Sequence, residues 1–151
     1  MDKIDLKILR ELQKDSSQSL SVIARKINSS STPVWNRIKK MREKGVIIRN
    51  TVILDENLLG LEACFFVLVR TNIHEIKWQK KFLKVLMKRS EVLEAHRLAG
   101  EVDYILKVRV QNAKAYDKFY QSLISDVKIH NVTALLSMEE IKSNSSIPLD
   151  N

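Results

Sequence analysis

The spacing of apolar side chains changes character once along this chain. From Ile4 to Met41 it keeps the three-to-four-residue step of helices: Ile4, Ile8, Leu9 and Leu12, then Leu20, Ile23, Ala24 and Ile27, then Val34, Ile38 and Met41. From Val46 onward, β-branched and alternating runs take over, interrupted by two further helical stretches. The 151 residues therefore read as a small helical unit followed by a larger mixed one.

Start and stop signals divide the helical third. Asp2 can cap a first helix over about residues 3–14, and Asp15-Ser16-Ser17-Gln18-Ser19 is polar and turn-like. Ser19 or Ser21 can cap a short second helix through about Ile27. Asn28 suits a left-handed turn after it. A third helix starts near Ser30, whose hydroxyl can accept a free amide of the first turn. Pro33 fits there because the first turn has no amide bond to lose, and Gly45 is a good stop.

Charge separates the same two units. Residues 1–50 hold 12 bases and 5 acids, a net of +7, whereas residues 51–151 hold 14 and 13, a net of +1. Between residues 25 and 49, eight bases (Arg25, Lys26, Arg37, Lys39, Lys40, Arg42, Lys44, Arg49) face one acid, Glu43. A solvated helix normally mixes signs, so this excess reads either as a merely basic surface or as a face for a polyanion.

The order of elements decides for the polyanion. Two short helices, a tight polar turn and a basic helix make a helix-turn-helix, winged-helix-like, whose second helix fits the major groove. Thr32 and Asn36, with Ser31 at the corner, can hydrogen-bond base edges; Arg37, Lys39 and Lys40 can take phosphates or guanine. Trp35 lies off the apolar face, either to stack on sugar or methyl groups in the groove or to pack against the C-terminal unit. Arg25 and Lys26 end the preceding helix, where they equally suit its negative end.

Val46 to Leu54 reads as a strand, and Asp55-Glu56-Asn57 and Gly60 as turns. The boundaries that follow are 1–47 for the helix-turn-helix, 48–60 for a hinge strand and linker, 61–142 for the second unit and 143–151 for a tail. The second unit reads β-α-β-β-α-β: strands at about 61–71, 92–98, 103–110 and 129–140, helices at about 75–89 and 113–125. Ile76, Phe82, Leu83, Leu86 and Met87 are the expected core of its first helix, with Lys77, Lys80, Lys81, Lys84 and Lys88 facing water. Tyr116, Phe119, Tyr120 and Leu123 line its second helix. Gly100-Glu101-Val102-Asp103 joins the middle strands as a hairpin. The expected class is α+β, with a ferredoxin-like antiparallel sheet. Two helices cover one face, so the other calls for a partner subunit, hence a homodimer.

Other classes fit poorly. No apolar run approaches the roughly 18 residues of a membrane span, and Asp2 and Asp5 close to Met1 argue against a secretory leader, so a cytoplasmic protein without membrane contact is expected. The one cysteine, Cys64, excludes an internal disulfide and reads as a small buried apolar residue. His74, His96 and His130 are not at metal-ligand spacing, and no Gly-rich phosphate loop or nucleophile elbow occurs. No metal, cofactor or catalytic residue is therefore assigned.

Ile4-Asp5-Leu6-Lys7-Ile8-Leu9-Arg10-Glu11-Leu12-Gln13-Lys14-Asp15, Ile23-Ala24, Ser30-Ser31-Thr32-Pro33-Val34, Arg37-Ile38-Lys39-Lys40-Met41 and Glu43-Lys44-Gly45-Val46-Ile47 resemble the opening of the Lrp/AsnC (feast/famine) transcriptional regulators. Gly100-Glu101-Val102-Asp103-Tyr104 resembles their Gly-Asp-x-Asp loop. Glu139-Glu140-Ile141-Lys142 and Ile147-Pro148-Leu149 resemble their ending. The resemblance implies a DNA-binding unit, a hinge and a C-terminal domain of the RAM type. It implies dimers that assemble into octamers and an amino acid-like effector held by Gly100, Glu101, Val102 and Asp103 with Thr133 and Leu135. Departures include Glu101 for the usual Asp, Ala99 for a hydroxyl residue, Val127-Lys128 for Pro-Gly, Ser16-Ser17 for Gly-Arg and Asn28 for the turn glycine. Missing hydroxyls remove bonding capacity for a zwitterion.

Two rivals stay beside this reading. Siroheme decarboxylases resemble the same two-domain architecture, with His96 and Arg97 available for tetrapyrrole carboxylates, and a metabolite sensor need not touch DNA. The intact basic helix argues against the first, and the +7 of the first third against the second.

Overall fold

A computed structural model of the chain describes residues 1–73, 75–144 and 146–149. His74, and Ser145, Asp150 and Asn151 of the tail, lie outside the described residues. The fold is α+β, in two compact units: Met1–Ile53 with Lys142–Asn151, and Leu54–Ile141.

The first unit holds α1 (Lys3–Lys14), α2 (Leu20–Lys26) and α3 (Ser31–Glu43). Asp2 caps α1 reciprocally with Asp5: its carboxylate accepts the Ile4 and Asp5 amides at 2.9 Å, and the Asp2 amide donates to Asp5 at 3.0 Å. Of the two serines expected to cap α2, Ser19 does so. Asn28 takes φ 55°, and the Ser29 and Asn28 amides close back on the Ala24 and Arg25 carbonyls in a Schellman turn. Gly45, φ 72°, repeats that closure after α3, the Val46 amide reaching the Met41 carbonyl at 2.9 Å. Ser30 sits at the start of α3, but its hydroxyl makes no capping bond, contrary to expectation; Ser30 contributes its carbonyl, which accepts the Val34 amide.

Ile8, Leu9, Ile23, Ala24, Val34, Ile38 and Met41 form the core of this unit. Leu149 packs against that core from the far end of the chain. The expected strand over 46–54 forms no ladder among the described residues, nor does any strand occur in 1–53 to make a wing. A strand needs a partner for its amides and carbonyls, and within one chain this segment meets none; Ile48 is 89% exposed and Ile53 81%.

The second unit holds β1 (Ala63–Arg70), α4 (Ile76–Leu86), β2 (Val92–Arg97), β3 (Tyr104–Val110), α5 (Ala113–Asp126) and β4 (Asn131–Leu136). The sheet order is β2-β3-β1-β4, antiparallel throughout, which is the ferredoxin-like arrangement. Phe65, Val67 and Val69 pair with Val108, Leu106 and Tyr104 on the face covered by α4 and α5. The buried stripe of α4 is Trp78, Phe82 and Leu86, a strict i, i+4, i+8 row. Ile76, Leu83 and Met87, expected in the core, are exposed, because Trp78 sets the helix phase. The Trp78 indole donates to the Lys128 carbonyl at 2.7 Å and its ring stacks on Phe82. The opposite face of the sheet presents Phe66, Leu68 and Ile105 with Thr133 and Leu135 of β4. β4 is shorter than the expected 129–140.

Candidate nucleic-acid interface and ligand loop

α3 buries Val34, Ile38 and Met41 and turns the rest of its surface outward. Ser31, Thr32, Asn36, Lys39 and Lys40 are all exposed. Asn36, Lys40 and Lys44 line one groove with Pro33, at the i, i+3/i+4 spacing of a single helix face. Lys44 lies a four-residue step beyond Lys40, and Asp2, Asp5 and Arg37 line the same groove. Trp35 is 49% exposed; its remaining surface faces a cavity shared with Leu12, Leu20 and Ile38, and the Lys39 ammonium stands 5.4 Å over its ring. Lys39 also lies 4.0 Å from Glu43, a marginal ion pair.

Arg37 is placed differently from the other expected contacts. Its Nη1 donates to Asp2 at 2.7 Å and to Asp5 at 2.8 Å, tying α3 to the first turn of α1. The Asp5 amide and Arg37 together hold the Asp2 carboxyl below its usual range. For Asp5, partial burial pushes upward, but the Asp2 amide and Arg37 outweigh it and the net shift is downward. Arg37 therefore orients the helix. Lys26 reaches Glu11 at 2.8 Å, so it too joins helices within the unit.

The Gly100–Asp103 hairpin closes with the Leu98 amide on the Asp103 carbonyl at 2.8 Å. Gly100 has φ 143°, a conformation open to glycine and strained for other residues. An aspartate at a hairpin end can bond its own turn amides. Asp103 reaches further: its Oδ2 accepts the Thr71 amide at 2.7 Å, and its own amide donates to Val69 at 3.0 Å. It thereby fastens the start of β3 to the end of β1, and Thr71 is the partner that sequence spacing gave no hint of. Glu101 is exposed and lies 3.5 Å from Arg70. Thr133 pairs with Leu68 across β1, at the same end of the sheet as the hairpin; Leu135 pairs with Phe66, one step toward the middle. Both are exposed on the face left open by α4 and α5. Val102 is half-buried beside Asp103.

Cys64 is buried, and burial pushes its thiol upward, away from reactivity. His96 and Arg97 lie exposed on β2, with His96 3.5 Å from Glu94. Among the described residues no group of His, Cys, Asp and Glu could hold a metal, and no helix is long and apolar enough to cross a membrane.

Comparison with known proteins matches this geometry to a family. Residues 1–48 match the winged helix-turn-helix DNA-binding model and residues 64–147 the Lrp/AsnC ligand-binding domain. The chain is 38% identical to the DNA-binding transcriptional activator DecR of Escherichia coli, covering 99% of both chains. An AsnC family transcriptional regulator from Agrobacterium tumefaciens superposes with a TM-score of 0.96 at 42% identity, over 99% of this chain and 97% of that one. A transcriptional regulator of Neisseria meningitidis in complex with L-Met superposes with a TM-score of 0.95 at 25% identity, with the same coverage. These relatives are regulators, which speaks against the decarboxylase reading. The chain belongs to the Lrp/AsnC family of DNA-binding transcriptional regulators.

Proposed function

We propose that a homodimer presents two copies of α3 to successive major grooves of an operator. The observation that carries this reading is the division of α3 into a buried Val34-Ile38-Met41 face and an exposed face of Thr32, Asn36, Lys39 and Lys40. Thr32, Asn36 and Trp35 read bases and methyl groups, Ser31 bonds backbone at the corner, and Lys39 and Lys40 take phosphates. Arg37 acts through the Asp2–Asp5 clamp by fixing the angle of the helix. The half-sites then lie about 34 Å apart, or a multiple. The open face of the ferredoxin-like sheet supplies the dimer contact, and dimers assemble further into octamers. The protein works in the cytoplasm, where it meets chromosomal DNA.

The hairpin Gly100-Glu101-Val102-Asp103, with Thr133 and Leu135 across β1, takes an amino acid-like effector between subunits. The L-Met complex of the Neisseria meningitidis relative supports that class of ligand. The effector acts by favouring one assembly over another.

Selection of bound duplexes from a random pool at near-physiological salt tests the reading. An enriched near-palindrome is the expected outcome. Recovery of unrelated sequences would overturn it, and an absorbance change on adding siroheme would revive the decarboxylase.

A further inference from the structure

Two sets stand out among the bases of the second unit. Residues 54–141 carry 13 bases and 12 acids. Arg70, Arg89, Lys107 and Arg109 are each paired with a carboxylate, Arg109 with Glu56 at 2.7 Å. Arg97, Lys114, Lys118 and Lys128, scattered over β2, α5 and the loop after it, likewise have no carboxylate partner among the described residues, but the lysines of α4 stand together. Lys77, Lys80, Lys81, Lys84 and, just past the helix, Lys88 are exposed, and among the described residues none has a carboxylate partner. α4 itself contains four lysines and no acid.

Such a row has a cost that a merely solvated helix would avoid. Lys77 and Lys81, Lys80 and Lys84, and Lys84 and Lys88 stand at i, i+4, where like charges repel; interleaved glutamates would relieve them. The row runs about 16 Å from Lys77 to Lys88 at the helical rise, longer than the ~12 Å width of a major groove. It can therefore reach phosphates on both sides of one groove. Ile76, Leu83 and Met87 flank the row on one side without interrupting it.

We propose that the α4 lysine row binds the phosphate backbone of duplex DNA that flanks the operator. This rests on the α3 reading above, since the duplex must first be held there. Charge complementarity selects the ligand: a polyanion with regularly spaced phosphates, already bound by the same chain. The contact is sequence-independent and governed by salt.

The test compares the full-length protein with a variant carrying Lys77→Gln, Lys80→Gln, Lys81→Gln and Lys84→Gln. Affinity is measured against salt on a selected operator of about 20 bp and on the same operator within about 80 bp, lengths chosen to lack or contain flanks beyond the half-sites. The expected result is an extra affinity of the wild type for the long duplex that the variant loses, on the order of tenfold near 0.1 M salt. The salt slope on the long duplex falls by about 2, as for two to three phosphates released, and the short duplex is bound alike. Equal long-duplex affinity and slope in both proteins would overturn the proposal, as would a wild type indifferent to length. A second variant, Ile76→Gln with Met87→Gln, distinguishes a protein partner: if it alone reproduces the loss, α4 is a protein-docking face and the proposal fails. If the wild type binds neither duplex, the α3 reading fails first and takes this one with it.

Discussion

Gln13 and Ile147 exchange two hydrogen bonds across 134 residues of sequence: the Gln13 Nε2 donates to the Ile147 carbonyl at 3.1 Å, and the Ile147 amide donates to the Gln13 Oε1 at 2.9 Å. The side-chain amide copies the donor–acceptor pair of a neighbouring strand. Arg10 adds a bond from Nη2 to the Leu149 carbonyl at 2.6 Å, and Leu149 packs on the helical core. Gln13→Ala is expected to destabilise the first unit by about 1–2 kcal/mol, the net worth of two such bonds. Faster hydrogen exchange at the Ile147 amide, with the second unit unchanged, is the measurement.

Arg37 sets an acid limit. Its carboxylate partners Asp2 and Asp5, and Glu11 beside Lys14 and Lys26, are all held below their usual range. Groups depressed in the folded state add stability above their unfolded values and lose it as pH falls through the folded ones. The first unit should therefore lose this stability progressively as pH falls from the ordinary carboxylate range toward the lowered folded values. Arg37→Met should move the acid midpoint of α-helical circular dichroism to higher pH. An unmoved midpoint would mean that the pair is decorative.

On α3, Asn36 and Lys40 should fail differently. If Asn36 makes a bidentate adenine contact, Asn36→Ala costs about 1–3 kcal/mol on the operator and relaxes preference at one base position. Lys40→Ala weakens operator and random duplex alike. Competition assays on both duplexes separate the two; equal losses for Asn36→Ala would remove it from base readout.

The two tryptophans offer a contrast in stability. Trp78→Ala removes a buried ring stacked on Phe82 together with the bond to Lys128, and a loss of about 3–5 kcal/mol is expected. Trp35→Ala, half-exposed on α3, should cost far less and show itself in DNA affinity. Thermal melting alongside a binding titration reads both.

Asp103→Ala should free the Thr71 amide and loosen the junction of β1 with β3, by about 1–3 kcal/mol for a bond to a carboxylate. The same change should abolish an effector response while operator affinity persists. Amino acid titrations on the operator complex check this; an intact response would put the effector elsewhere.

Helix boundaries were legible because their signals are local. Asp2, Ser19, Asn28 and Gly45 act within one turn, and the alternation of Tyr104, Leu106, Val108 and Val110 has a single solution once one face is covered. The exposed positions of α3 followed from its apolar phase alone. What stayed hidden was long-range. The phase of α4 turned on Trp78, which a count of aliphatic residues passes over. The Arg37 clamp joins positions 32 and 35 residues apart, and an arginine reads as a phosphate ligand until its carboxylates are seen. The segment 46–54 has strand composition, yet composition cannot furnish the neighbouring backbone that a ladder requires.

The seating of Leu149 on α1 has a temporal side. A helical unit of local contacts can condense as soon as it leaves the ribosome, but this one takes part of its packing from a segment made after the second unit. The Leu149 contact forms only after the second unit has been synthesised. Chains cut short before residue 146 would carry α3 in a unit that lacks the Leu149 packing and the bonds from Arg10 and Gln13.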